Sequence, residues 1–161
     1  MDFQNLVAKT LYATKRAIPD TCTSIAYLTT RIQTPNDKDW DKLLHMMQYI
    51  RVTRKLSLTL TVNGSEILKW WVGALFAVHI NMRVYSGGGL SLGRGFPIVI
   101  STEQKLNTKT FTETEIFGVD YLIPDICWTQ YLVTAQSYNV KDDSLHHNNK
   151  GSIILENNWK T

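Results

Sequence analysis

The feature that most constrains this fold is a change of hydrophobic period at Arg54-Lys55. Ahead of it, apolar residues recur at helical spacing. Phe3, Leu6, Val7 and Leu11 mark a first amphipathic helix, and Pro19-Asp20 opens a second with Ile25, Leu28 and Ile32 on one face and Pro35 beyond its end. Trp40, Leu43, Leu44, Met47 and Ile50 follow Pro35-Asn36-Asp37, which predicts a capped third helix with that Trp/Met stripe facing the core. After the change, Leu56, Leu58, Leu60 and Val62 alternate with Ser57, Thr59 and Thr61, the period of a strand. The expected class is α+β: a helical segment over residues 1–55, then a sheet with helices over 56–161.

Asn63-Gly64 is a hairpin signal that predicts Ile67 to Val72 lying back against the first strand. Trp70 and Trp71 then point to opposite faces, one into the core and the other under a helix. Val84 to Leu92 reads as a second segment containing Gly87, Gly88 and Gly89, and Gly93-Arg94-Gly95 turns it into Pro97–Ser101. No helix follows the three glycines directly, so they do not make a phosphate cradle. Lys105 to Trp128 reads as a strand exit into an acidic helix start, with a Thr112-x-x-Glu115 capping box and apolar Ile116, Val119 and Ile123. The helix dipole favours acidic first turns, so Glu113 and Glu115 need no function to be there. The helix is interrupted or restarts at Pro124-Asp125. Ser137 to Val140 reads as a short fourth strand, residues 141–143 and 146–149 as loop, and Ile153 to Leu155 as the start of a last helix or strand.

With 161 residues, 43% of them hydrophobic, the chain can bury a real core. No apolar run reaches the roughly 18 residues of a membrane span, and Met1-Asp2-Phe3 lacks a signal-peptide plan, so an intracellular protein with no membrane partner is expected. Cys22 and Cys127 form no Cys-x-x-Cys pair, which argues against a disulfide framework or zinc site and predicts buried free thiols. The net charge of +3 hides a gradient: residues 1–60 carry nine basic and five acidic side chains, residues 112–161 three and seven. A basic front suits contact with phosphate, through Lys15, Arg16, Arg51, Arg54, Lys55, Lys105 and Lys109, with Trp70, Trp71 and Tyr85 to stack or pack. A solvated surface accounts for the basic residues equally well.

Longer stretches carry a resemblance. KLNTKTFTETEI followed by GVDYLIPDICWTQYL resembles the Ser-Ser-Thr-Glu-Ala-Glu helix and following Leu-Trp segment of the ribonuclease H domain in copia-type retrotransposon polyproteins. LKWWVGALFAVH and YSGGGLSLGRG resemble that domain's first two strands, and residues 10–60 resemble the connection between reverse transcriptase and ribonuclease H. The collinear landmarks cover nearly all of the chain. The resemblance implies a ribonuclease H-like mixed sheet with flanking helices after a connection segment, and two-magnesium cleavage of RNA in RNA–DNA hybrids as the family activity. Such ions take hard carboxylate oxygens, from the first strand, the first helix, the end of the fourth strand and a late helix.

Three of those four acids are missing. The first-strand Asp, normally shared by both ions, falls at Gly73; the helix acid corresponds to Glu115; the fourth-strand Asp falls at Asn148, in HHNNKGSI. The last acid belongs after Trp159, and the chain ends at Thr161. The resemblance therefore implies a degenerate fragment of a retrotransposon polyprotein, a pseudoenzyme with no magnesium cofactor of its own and an incomplete, marginally stable domain. The alternative is a nucleic-acid-binding or interaction module that keeps the fold without catalysis, with an RNA–DNA hybrid or other nucleic acid as partner. Asp142 and Asp143 lie too far upstream, on an expected loop, to replace Asn148. His146 and His147 read as solvated loop residues, since neighbours on a strand would not converge on a metal, and His79 reads as structural.

Overall fold

A computed structural model describes residues 2–75 and 84–158, and it divides the chain into two units, Met1–Thr59 and Leu60–Thr161. Five α-helices and two sheets among the described residues make the chain α+β. None of these helices is long and apolar enough to cross a membrane. His79 and Trp159 lie outside the described residues.

In the first unit, α1 (Phe3–Ala17) runs through a 3-10 turn at Pro19–Thr21 into α2 (Cys22–Thr29), and α3 (Asp37–Thr53) follows. Asn36 caps α3: its side chain accepts from the Asp39 amide at 3.0 Å while Asp39 accepts from the Asn36 amide at 3.1 Å, which satisfies two N–H groups at the helix start. Tyr27 and Arg31 also donate to the Asp39 carboxylate, each at 3.2 Å. Burial alone would raise this carboxyl, yet the Asn36 amide, Arg31 and Tyr27 hold it below its ordinary 3.8. Its contribution to stability is present above that value and is lost as pH falls through the folded one.

This buried cap turns α3 about its axis. The line facing the core is Asp39, Leu43 and Met46, packed with Phe3, Val7, Ile25 and Leu28, whereas Trp40, Leu44 and Met47 of the expected stripe are exposed. Trp40 meets Phe3 edge-on, with ring centroids 4.9 Å apart. Cys22 is buried as expected, but Cys127 is exposed, because it lies on the outer side of its helix.

In the second unit, β2 (Ile67–Leu75), β3 (Tyr85–Ser91), β5 (Ile98–Glu103) and β6 (Asp142–His146) form one sheet in the order β5-β3-β2-β6. The β2–β3 and β3–β5 pairs are antiparallel and β2–β6 is parallel. A crossover is required before β6, and α4 (Phe111–Ala135) supplies it. α5 (Lys150–Asn158) follows, while β1 (Thr61–Val62) and β4 (Gly93–Arg94) make a separate two-stranded sheet.

The expected strand over residues 56–62 shrinks to Thr61–Val62, because among the described residues only those two of the segment find a ladder partner. Asn63-Gly64 turns the chain but makes no hairpin. Gly64 adopts φ +70° and Glu66 φ +58°, Ser65 bonds back to the Asn63 side chain, and β2 leaves to pair elsewhere. Ser137 to Val140 is not a strand; the fourth strand of the main sheet is Asp142–His146.

α4 covers one face of this sheet. The alternation of β2 sends Leu68, Trp70, Val72 and Ala74 to that face, where Val119, Leu122 and Ile126 meet them with Leu90, Ile100 and Leu145. Close approach depends on two small residues. A Cβ at Gly118 would lie 3.4 Å from Ser86 Oγ, and one at Gly88 only 2.3 Å from Leu122 Cδ1, so Leu122 occupies the space a side chain at Gly88 would need. Pro124 does not break α4. The carbonyl it leaves without an intrahelical donor is that of Asp120, an exposed residue on the solvent side.

Candidate functional site

The start of α4 decides where its two glutamates go. TKTFTETE contains the Thr-x-x-Glu pattern twice, and the helix uses the first: Thr110 caps it, accepting from the Glu113 amide at 3.1 Å, while Glu113 accepts from the Lys109 amide at 2.7 Å. The expected Thr112 cap is displaced by two residues. Glu113 thus serves the helix end, and Glu115 is free to turn inward, where it is 1% exposed.

Inside, Glu115 accepts a hydrogen bond from the Ala74 amide on β2, and its Oε2 has no hydrogen-bond partner among the described residues. The parallel register brings β6 to the same place. Trp71 is the last β2 residue paired with β6, opposite His146; two residues further along each chain stand Gly73 and Asn148. Gly73 and Asn148, far apart in the chain, therefore stand just past the same end of the β2–β6 pair, and Glu115 bonds the Ala74 amide next to Gly73, which itself is on the face of β2 turned away from α4. Asn149, next to Asn148, accepts from the Ser152 amide at 3.0 Å and starts α5, and Ser152 Oγ donates to the Thr112 carbonyl at 3.3 Å. Asn148 is thereby fixed between a strand end and a helix cap that docks on α4.

The chemistry of this set is thin. A divalent magnesium pair needs several anionic oxygens. Glu115 offers one buried carboxylate, Asn148 a neutral amide and Gly73 no side chain, so these residues do not fit such a centre. Among the described residues, no three His, Cys, Asp or Glu side chains are grouped to hold a metal ion. The histidine pair splits across the sheet, and neither is a solvated loop residue. His146 ends β6 and stacks on Trp71, whereas the His147 side chain is 3% exposed and its Nε2 lies 3.2 Å from Glu156 Oε2 of α5. Glu156 gave no signal in the sequence, because its helix was not distinguishable from a strand there.

Electrostatics follow from burial. Desolvation raises the Glu115 carboxyl above its ordinary 4.5, against the pull of the Ala74 amide and of His147. Asp143, at the start of β6 on the helix side, is raised by burial and then by Asp142 beside it. Both groups bind protons more tightly in the folded chain than in the unfolded one. Their contribution to stability is full below the unfolded values and is lost as pH rises through the folded ones. Glu115→Gln keeps the acceptor for Ala74 and removes the charge. Its expected effect is a smaller loss of stability between about pH 4.5 and neutrality than the wild type shows, read by urea unfolding across that range. Parallel curves for the two proteins would contradict the burial of an ionising Glu115.

The basic residues are divided between the two units. Lys105 and Lys109 sit in the loop before α4; Arg51, Arg54 and Lys55 lie at and beyond the end of α3 and Lys15 and Arg16 at the end of α1, in the other unit. Cations in a last helical turn are favoured by the dipole, which accounts for Arg51 and for the α1 pair. Trp70 and Tyr85 are buried and cannot stack on a ligand; Trp71 is 47% exposed, with no helix over it among the described residues. No protein-family model, curated protein or solved structure matches the chain.

Proposed function

We propose that the second unit is a ribonuclease H-like domain, of the copia-type kind that its sequence resembles, which has lost hydrolytic activity. The observation that supports the reading is the placement of Gly73 and Asn148 two residues past the Trp71–His146 pair, with Glu115 bonded to the Ala74 amide beside Gly73. Gly73, Asn148 and Glu115 are the positions where the resemblance requires acids on a first strand, the end of a fourth strand and a first helix. Such acids can share ions only if the fourth strand lies beside the first and the helix packs on the first, and β6 beside β2 with α4 packed on β2 supports the reading.

The loss is chemical rather than architectural. Gly73 removes the ligand that bridges both ions and Asn148 replaces a charged oxygen by a neutral one, so the remaining Glu115 has nothing to share a magnesium ion with. The first unit is the connection segment in this reading, and the catalytic acids of a polymerase are not among its residues. The expected outcome is that manganese, used as a paramagnetic stand-in for magnesium, leaves the amide resonances of Ala74, Glu115 and Asn149 unbroadened at concentrations that saturate a carboxylate centre. Selective, saturable broadening of those three amides would overturn the loss of the metal site.

A further inference from the structure

We infer that the side of α4 turned away from the sheet is a seam for pairing with the same helix of a second copy of the chain, the two helices running antiparallel. The inference stands apart from the nuclease reading, because it uses none of Gly73, Glu115 and Asn148. The inner side of α4 is accounted for by Val119, Leu122, Ile126 and Val133, which pack on the sheet. The outer side carries Phe117, Tyr121, Pro124, Trp128, Tyr131 and Ala135. These residues are spaced alternately four and three apart, which makes the narrow seam of a helix pair rather than the broad stripe that meets a sheet. Tyr121 is 49% exposed, Trp128 58% and Tyr131 74%.

Charge says what kind of partner fits. From Ile126 to Val140 the chain has no Asp, Glu, Lys or Arg. A nucleic acid would need cations there, whereas an exposed aromatic face without charge has the composition of a protein interface core. The order of residues along the seam then selects a second copy. Antiparallel pairing about Ile126 sets Phe117 against Ala135 of the other copy, Pro124 against its Trp128 and Tyr121 against its Tyr131. Large side chains thereby meet small ones, and the flanking Asp120 and Asp125 fall opposite Leu132 and Cys127. Parallel pairing would set Trp128 on Trp128 and each aspartate on its own equivalent, with the helix dipoles aligned. A patch that complements itself in this way is what a two-fold dimer requires.

The area is that of a weak dimer. A full aromatic side chain buries about 150–250 Å², so the exposed parts of Tyr121, Trp128 and Tyr131 supply about 350 Å² per copy. A contiguous apolar patch of that size is where protein surfaces become binding sites. Both copies together, with Phe117, Pro124 and Leu132 at the margins, approach the roughly 1,200 Å² at which specific interfaces begin. Association should therefore be micromolar or weaker.

The test is sedimentation velocity of the full chain between about 1 and 300 µM. The wild type should shift from monomer to dimer as concentration rises. Trp128→Asp should stay monomeric throughout with its helical circular dichroism unchanged, and Tyr131→Ala, which removes only an exposed ring, should weaken the dimer about tenfold. Trp71→Asp, on the face of the sheet turned away from α4, should leave the dimer intact. Direction is read by charge. Tyr121→Lys and Tyr131→Glu should each weaken association, and the chain carrying both should pair more tightly than either, because antiparallel copies bring the opposite charges together. A wild type that stays monomeric at every concentration would overturn the inference, as would a dimer that Trp71→Asp dissociates and Trp128→Asp does not. A doubly substituted chain that pairs more weakly than both single variants would overturn the antiparallel arrangement.

Discussion

Gly73→Asp combined with Asn148→Asp should give the protein magnesium-dependent cleavage of the RNA strand in an RNA–DNA hybrid, on the order of 10³-fold above the wild-type background. A Cβ at Gly73 meets no atom within 4 Å, so the new carboxylate has room, and Asn148→Asp changes charge at nearly constant shape. Both substituted positions lie two residues past the Trp71–His146 pair, and Glu115 accepts from the Ala74 amide next to Gly73. Three carboxylates so close repel one another, so the double variant should melt lower than the wild type without divalent ions and recover when magnesium is added. A wild-type melting curve should not respond in this way. If the variant binds magnesium yet cuts nothing, the placement is right but a further acid is needed; if it shows neither effect, the strand register is wrong.

The second large effect concerns two adjacent tryptophans. Trp70 is fully buried among Leu68, Leu90 and Leu145 beneath α4, and Trp70→Ala should cost the sheet unit about 3–5 kcal/mol. Trp71→Ala removes an exposed ring stacked on His146 and should cost no more than about 1.5 kcal/mol. With two units in the chain, global unfolding need not be two-state, so amide exchange along β2 is the suitable probe. Equal costs at the two positions would mean that β2 sits one residue out of register, with its faces exchanged.

What the sequence made legible depended on how local the signal was. The α3 cap is read correctly from Pro35-Asn36-Asp37, because a cap is a contact between residues three apart. The strands at 67–75, 85–91 and 98–103 are legible from alternation and glycine punctuation. The partner of each strand is not. Asn63-Gly64 has hairpin chemistry, yet β1 pairs with Gly93–Arg94 across the sequence, a choice no turn residue encodes. β6 is nearly silent, since DDSLH has one apolar residue; it becomes a strand because β2, buried on one face, offers it a ladder. At the site, the Thr112-x-x-Glu115 box read from the sequence gives way to Thr110-x-x-Glu113, a choice that goes with the tertiary burial of Glu115. The exposed Trp71 was equally hidden, because period-two alternation says that neighbours face opposite ways but not that one face lacks a cover.

The central claim, a domain that keeps the arrangement of a ribonuclease H-like site without its metal ligands, is tested most directly by one time course. Wild-type protein is incubated with an end-labelled RNA–DNA hybrid in magnesium and resolved on denaturing gels beside Glu115→Ala. The hybrid should remain intact with both proteins at every time point. Cleavage by the wild type that disappears in Glu115→Ala would contradict the account, because a working nuclease would then stand where Gly73 and Asn148 are read as lost ligands.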